Sequence, residues 1–442
     1  MARRCTFEDI PAGSSAIPTE VQEGELDFSP HAVISGDVIQ PGLEMVVEVD
    51  PDGTLDPNLG VSKRIPESGR MTVDVRAVPP LLWTLIPFVS TVDNDREAVT
   101  VVANADRDDE IFWQTNHYLP VGELEITPHE SVTVDTNDIF ELLSDVGTIR
   151  LMEDGVGHWM GLIPDPEGAA GVAWLPFGPD SLLWRGKTSV SNLSPETIAH
   201  ELGHNLSLRH ADCGDPAGAD PSFPHDNARS GVWGWDPRDG GSLVTPDRAD
   251  FMSYCNPTWV SDYYFTNALR FRLQDPLEVW ETPAASRTLL VSGGVTADGD
   301  PWLDPAFVVE TRPVVPTAGG PWQLSGRRAD GRELFSLSFG MAELWDGDGR
   351  SGFAFALPVE PEWEAELASL LLSGPDGSVE MTEGSESPVA ILRDPRTRQV
   401  RAIFRDLPTG PLALSSAEDR APEPGLQVLV SSGLPDAEAW RR

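Results

Sequence analysis

The stretch "ETIAHELGHNLSLRHADCG", residues 196–214, contains three of the eight histidines in a chain of 442 residues. His200 and His204 are four residues apart, so on a helix their imidazoles lie on one face, one turn apart, and can chelate a single metal ion. Glu201 projects to the side of that face. Its carboxylate can there accept a proton from a water molecule at the metal.

The residues that precede the histidines predict where this helix begins. Ser194 can cap the helix, Pro195 is suited to the first helical position, and Glu196 and Thr197 are suited to the first turn. The pattern therefore predicts that the candidate metal ligands lie on an α-helix that starts a few residues before them.

A third ligand has to come from beyond the helix. His210 lies six residues after His204, and in a continued helix six steps of about 100° would turn it by a net of about 240°, away from the other two. The chain must therefore turn after Asn205 or Leu206, and glycine usually occupies such a turn because positive φ is free for it. Ser207 stands at that place. We predict that Ser207 has a positive φ, at some energetic cost, or that the turn opens differently.

The segment HELGHNLSLRH, 200–210, resembles the zinc-binding signature of the metzincin metalloproteases, H-E-x-x-H-x-x-G-x-x-H, with Ser207 replacing the glycine. Metzincins also carry a Met-turn, which places a methionine under the zinc, and Met252 in "MSY" resembles it. Tyr254 is similar to a tyrosine that in some branches approaches the zinc and stabilises the reaction intermediate. The resemblance covers about 80–275 and is closest in character to large bacterial secreted metzincins.

This resemblance implies a zinc-dependent endopeptidase that hydrolyses peptide bonds of proteins or glycoproteins. The implied zinc ligands are His200, His204 and His210. A zinc-bound water would attack the substrate, with Glu201 as the general base. A gluzincin-type site with a downstream glutamate as third ligand is an alternative that His210 and Met252 disfavour. A catalytically silent, zinc-containing protein that binds a glycoprotein or polysaccharide is another alternative.

The apolar, glycine-rich segment "GAAGVAWLP", 168–176, predicts an edge strand that could receive an extended substrate through backbone hydrogen bonds. An edge strand without that role is the alternative interpretation. The residues expected to bind substrate are Gly171, Val172, Ala173 and Trp174.

Two of the three cysteines, Cys213 and Cys255, flank this region; the third is Cys5. A disulfide between Cys213 and Cys255 would close a loop of about 43 residues and stabilise the fold by roughly 3–4 kcal/mol in the chain-entropy model. Such a bond would also indicate an oxidising compartment. Two buried free thiols are the alternative.

The patterns along the chain predict an α+β protein. We expect a metzincin-like catalytic domain, built from a twisted mixed sheet with helices, flanked by N- and C-terminal β-sandwich-like domains. "LLWTLIPFVS" predicts a buried central strand, and "DTNDIFELLSDVGTIR" predicts a helix with an Asx cap. The expected regions are a lead-in (1–25), an N-terminal β-domain (26–80), the protease domain (81–275), a C-terminal β-domain (285–410) and a tail of uncertain structure (411–442).

Charge and composition bear on partners. The formal net charge of −40 disfavours nucleic-acid binding, because so acidic a surface repels phosphate. We expect no membrane span, a monomer, and a protein or glycoprotein substrate. No signal peptide is visible, so either the protein stays inside the cell or its true start lies upstream of Met1. The resemblance and the expected disulfide favour a secreted or cell-surface location. Zinc is the expected cofactor; the acidic segments 213–227 and 345–352 are candidates for calcium.

Overall fold

The computed structural model of the protein describes residues 34–48, 52–54, 56, 58, 60, 62–176, 187–274, 284–316, 319–345, 349–375 and 377–441. The predicted lead-in lies outside these residues. The chain divides into two compact units, Met1–Val78 with Val232–Pro246, and Pro79–Gly231 with Asp247–Arg442.

The described part of the first unit contains short strands in separate pairs. Its first four strands are β1 (Glu44–Met45), β2 (Val47–Glu48), β3 (Arg64–Ile65) and β4 (Met71–Thr72). β1 pairs with β4 and β2 with β3, both antiparallel. The interpretation of 26–80 as a β-sandwich-like domain stays a prediction.

The second unit is built on a large mixed sheet. The strands that enter it before the histidine cluster are β5 (Leu81–Ser90), β6 (Leu124–Pro128), β7 (Val132–Val134), β8 (His158–Leu162), β9 (Gly171–Leu175) and β10 (Thr188–Ser191). β5 runs parallel to β6, β7 and β8, and β8 runs parallel to β10. β9 is antiparallel to β10, so the direction of the sheet reverses beside the histidine cluster.

The central position predicted for "LLWTLIPFVS" is confirmed by β5. Successive side chains of a strand point to opposite faces. On one face, Ile86 and Phe88 belong to the same core cluster as Leu142, which lies on the helix Ile139–Met152. On the other face, Trp83 contacts Phe112, with ring centroids 5.5 Å apart. Both faces of β5 are therefore covered, which explains its nearly continuous apolar sequence.

Seven α-helices lie within the described residues, and the α+β class is confirmed. They are α1 (Glu97–Ala103), α2 (Trp113–Tyr118), α3 (Ile139–Met152), α4 (Pro195–Asn205), α5 (Asp262–Gln274), α6 (Trp363–Glu366) and α7 (Leu412–Asp419). The predicted cap of α3 is present, since the Asp138 carboxylate accepts hydrogen bonds from the backbone N–H groups of Phe140 and Glu141. In the part of the chain that the structure describes, no helix has the length and apolar character needed to cross a membrane.

Four short strands follow the histidine cluster. They are β11 (Gly234–Asp236), β12 (Ser242–Val244), β13 (Ala249–Asp250) and β14 (Thr258–Trp259). β11 and β12 pair as an antiparallel ladder within the first unit, and β13 pairs with β14 in parallel within the second.

The C-terminal half is rich in strands, as predicted. They are β15 (Ser286–Val295), β16 (Pro301–Leu303), β17 (Phe307–Thr311), β18 (Trp322–Arg327), β19 (Glu333–Phe339), β20 (Ala342–Leu344), β21 (Ser351–Pro358), β22 (Ser369–Gly374), β23 (Gly377–Met381), β24 (Val389–Arg393), β25 (Val400–Phe404) and β26 (Gln427–Ser431). Four of them, in the order β19-β18-β22-β23, form a sheet of their own.

The other C-terminal strands join the sheet that contains β5. The order is β16-β15-β21-β20-β9-β10-β8-β5-β7-β25-β24-β26, with β17 on β15 and β6 on β5. The C-terminal strands thus flank the strands of the 81–275 region on both sides, within one compact unit. The division into a protease domain that ends at 275 and a separate C-terminal β-domain that begins at 285 stays a prediction.

The prediction that β9 is an edge strand is wrong for its second half. Trp174 pairs with Leu344 of β20, and Leu175 pairs with Glu343. The sequence of 168–176 could not indicate this, because the partner strand lies about 170 residues further along the chain and pairs through backbone groups.

Candidate metal centre

Helix α4 begins where the sequence predicts. The Ser194 hydroxyl accepts a hydrogen bond from the Thr197 backbone N–H, and Pro195 occupies the first helical position. Pro195 has no N–H to leave unsatisfied at this end of the helix. α4 carries His200, Glu201 and His204 and packs against β9 and β10.

The helix ends in a Schellman motif, with Ser207 in the left-handed conformation at φ 67°. The Leu208 N–H donates to the Gly203 carbonyl and the Ser207 N–H donates to the His204 carbonyl, which satisfies two carbonyls of the last turn. The predicted positive φ of Ser207 is confirmed. The reversal that glycine usually makes is therefore made by a serine.

Ser207→Gly is expected to raise the free energy of unfolding of the zinc-free protein by up to about 1 kcal/mol. Glycine adopts positive φ without the steric clash of a Cβ, although part of this gain is offset by the greater freedom of the unfolded chain. Urea denaturation measures the effect. Ser207→Ala is the control, because alanine retains the Cβ; an equal gain with alanine would contradict the backbone explanation.

The turn at Ser207 brings His210 back to the helix. One ring nitrogen from each of His200, His204 and His210 lies within 4.8 Å of the others, and all three side chains are buried. The Nε2 atoms of His200 and His204 are 3.1 Å apart. The three-histidine cluster predicted from the sequence is thus present.

The three imidazoles share one hydrogen-bonding feature: each Nδ1 lies next to a backbone carbonyl oxygen. The pairs are His200 with Phe251 (2.9 Å), His204 with Leu208 (2.8 Å) and His210 with Ala217 (2.7 Å). A carbonyl oxygen can only accept, so each Nδ1 must carry the proton. Nε2 is then the ring atom through which each histidine can bind a metal ion.

This donor set fits a metal ion that prefers imidazole. Three imidazoles whose Nδ1 atoms donate to backbone carbonyls are an arrangement that zinc accepts, with a fourth position left for water or substrate. The three ring nitrogens lie close enough together to bind one ion.

Met252, the methionine that resembles a Met-turn residue, packs against helix α4. A Cβ added at Gly203 of α4 would lie 2.6 Å from the Met252 sulfur, so the thioether lies directly against the metal-binding helix. Met252 is fully buried, and its backbone carbonyl accepts from the Ala211 N–H (2.9 Å). The turn that holds Met252 also supplies the Phe251 carbonyl to His200.

Asp250, which the sequence analysis did not single out, fixes this turn. Its carboxylate accepts hydrogen bonds from the Met252 N–H (2.8 Å) and the Ser261 N–H (2.8 Å). Burial raises the pKa of the Asp250 carboxyl to about 6, against the lowering effect of the hydrogen bonds from Ser261 and Met252. In the local sequence, this role of Asp250 is indicated only by its place two residues before a methionine, which is a common pattern.

The predicted disulfide between Cys213 and Cys255 is present, with a Cα–Cα distance of 5.7 Å. It joins the segment after His210 to the Met252 turn, and the Tyr254 N–H donates to the Cys213 carbonyl (3.0 Å). Tyr254 is 49% exposed, and its ring centroid lies 5.0 Å from that of His210. The disulfide therefore places Tyr254 beside the histidine cluster.

Glu201 is buried at 2% exposure and lies against β9. A Cβ added at Gly171 would lie 2.4 Å from the Glu201 Oε1 atom, so only glycine leaves room for the carboxylate there. Gly171 is thus explained by its contact with Glu201.

His117, His158 and His225 lie outside the cluster. His225 pairs with the Asp262 carboxylate (2.8 Å), and His117 stacks on Trp113. His158 is buried, and desolvation, followed by nearby Lys187, lowers its pKa well below the ordinary value. They take the packed or surface roles that isolated histidines usually have.

The calcium candidates are not supported as clusters. Within the described residues, His200, His204 and His210 form the one group of three or more side chains placed to bind a metal ion. In the segment 213–227, Asp220 accepts hydrogen bonds from the Ser222 N–H and the Tyr263 hydroxyl. The segment 345–352 lies partly outside the described residues.

No known family model matches this sequence, and no curated protein matches it. The geometry of the histidine cluster therefore carries the functional argument.

Proposed function

We propose that this protein is a zinc-dependent endopeptidase of metzincin type. The observation that carries the proposal is the set of three carbonyl oxygens that hold the Nδ1 protons of His200, His204 and His210, so that three Nε2 lone pairs converge. The Met252 turn and the sheet with α4 beside β9 support the same class, as does Glu201 between the histidines and β9.

Zinc, when bound, supplies a Lewis acid that polarises the substrate carbonyl and lowers the pKa of a water molecule. Glu201, buried beside the ligands, takes a proton from the attacking water and delivers it to the leaving amine. Tyr254, exposed beside His210, is placed to donate a hydrogen bond to the oxyanion that develops on the substrate carbonyl.

The substrate is proposed to be a protein or glycoprotein segment in extended conformation along Gly171, Val172 and Ala173. Backbone groups of a strand bind such a segment without reading its sequence. Trp174 was expected to belong to this set, but its backbone pairs with Leu344 of β20. We therefore propose a pairing surface that ends before Trp174.

The disulfide is weakly compatible with an extracellular protein, because such bonds persist in oxidising compartments. We propose a secreted or cell-surface location on that basis.

Removal of zinc is expected to abolish cleavage of casein or a mucin, and stoichiometric zinc is expected to restore it. The three imidazoles are the metal-binding donors, so a chelator should leave a folded protein with no Lewis acid. Fluorescent peptide release before and after dialysis against EDTA measures the loss. A wild-type protein that binds one zinc and cuts no member of a broad protein panel would favour the silent binding protein instead.

A further inference from the structure

The segment Ala342–Trp345, which we call the β20 segment, joins the C-terminal half of the chain to the candidate metal centre. Its Leu344 pairs with Trp174 on β9, the strand whose Gly171 lies against Glu201. The next residue, Trp345, lies against the loop that follows α4. One short segment therefore contacts both β9 and the loop that carries His210.

Trp345 contacts this loop at two defined points. The Arg209 guanidinium lies over the indole, 4.7 Å from the ring centroid. A Cβ added at Gly218, whose φ is 63°, would lie 2.8 Å from the indole Cζ2 atom, so the ring rests directly on the loop backbone. The indole is held in one place by the cation over its ring and by direct contact with a backbone that carries no side chain at that point.

These two contact points bracket the hydrogen bond that orients the third histidine. Arg209 directly precedes His210, and Gly218 directly follows Ala217, whose carbonyl accepts the His210 Nδ1 proton at 2.7 Å. The loop is held further by the Asp220 N–H, which donates to the His210 carbonyl at 2.8 Å. A shift of the Gly218 backbone would therefore change the position of the Ala217 oxygen and with it the direction of the His210 lone pair.

We propose that Trp345 is a positioning residue of the metal centre, which fixes the Ala217 carbonyl and so pre-orients His210 for the metal. The C-terminal strands then complete the centre. This inference rests on the metal-binding part of the proposed function and is independent of whether the protein cleaves peptides. Nothing in the sequence around Trp345 indicates the role, since the residues it contacts are more than 120 positions away.

The test measures the zinc dissociation constant by competition with a chromophoric chelator. Trp345→Ala is expected to weaken zinc binding by up to about 10-fold, the lower end of the range found when the hydrogen-bond partner of a metal ligand is itself lost, because Trp345 acts on the loop that carries that partner. Trp345→Phe retains an aromatic face for Arg209 and is expected to restore most of the affinity. Trp302→Ala is the control: it removes the same side chain from β16, which β15 and β21 separate from β20.

Thermal unfolding of the zinc-free proteins separates positioning from folding. A Trp345→Ala protein with a lowered melting temperature and an unchanged zinc dissociation constant would overturn the proposal, as would equal weakening in Trp302→Ala.

If Trp345→Ala does not fold, the Arg209→Gln variant tests the proposal in its place, because Arg209 is exposed and the substitution removes the cation over the ring. Arg209→Gln is expected to weaken zinc binding, as Trp345→Ala does. An unchanged zinc dissociation constant would overturn the proposal. Wild-type protein that binds zinc without cleaving peptides would refute the protease and leave this inference standing.

Discussion

Glu201→Gln is expected to reduce the rate of peptide cleavage about 10²- to 10⁴-fold, the contribution typical of a general base. Glutamine has nearly the shape of glutamate, so the contact with Gly171 is retained while the basic oxygen is lost. Zinc affinity should change little, since Glu201 is not among the three converging histidines. Cleavage kinetics and zinc content are measured on the same preparation.

Glu196→Gln is the matched control for this experiment. It makes the same chemical change in the first turn of the same helix, one turn before His200, on a partly exposed residue that is not a member of the three-histidine cluster. We expect wild-type cleavage from it. Full cleavage by Glu201→Gln would show that the proton is taken by another group, and the assigned role of Glu201 would have to be given up.

The local sequence predicted the candidate centre well because its determinants are local. The N-cap at Ser194, the spacing of His200 and His204, and the reversal required before His210 all follow from helix geometry. The positive φ at Ser207 follows from the same geometry, since no other conformation at the C′ position makes the Schellman bonds to Gly203 and His204.

Long-range pairing could not be predicted in the same way. β20 has only three residues, and alternation along three residues does not indicate which strand it will join. The parallel pairing of β25 with β7 is similar, because their Ala402 and Thr133 lie far apart in sequence. The sequence therefore predicted the presence of C-terminal strands and not their place beside the centre.

Some side-chain roles required the folded structure as well. Gly171 was read as part of a substrate strand, and the contact that excludes a Cβ there, with Glu201, comes from helix α4 packing on β9. Asp250 acts through the backbone N–H groups of Met252 and Ser261, and Trp345 acts through a loop more than 120 positions away. Such contacts leave no periodicity in the sequence, because a backbone acceptor or donor is present at nearly every position.

His210→Ala is expected to weaken zinc binding by more than about a hundredfold, because loss of an outer-shell partner alone costs 10- to 100-fold and here a ligand is lost. His200 and His204 would remain on α4, but two imidazoles leave a zinc ion with half of its usual coordination. His210 is fully buried, so the melting temperature of the zinc-free variant is measured beside the zinc dissociation constant.

His225→Ala is the matched control, since His225 follows His210 by fifteen residues and its imidazole pairs with Asp262 at 2.8 Å instead of joining the cluster. Its zinc affinity should equal that of the wild type. Undiminished affinity in His210→Ala would exclude a three-histidine site. Equal losses in both variants would mean that the loop after α4 supports the metal as a whole, in which case His210 is not a ligand. If only His210→Ala loses zinc affinity, His210 is a ligand and the chain must reverse direction at Ser207. Only that turn brings a residue six positions after His204 back to the helix.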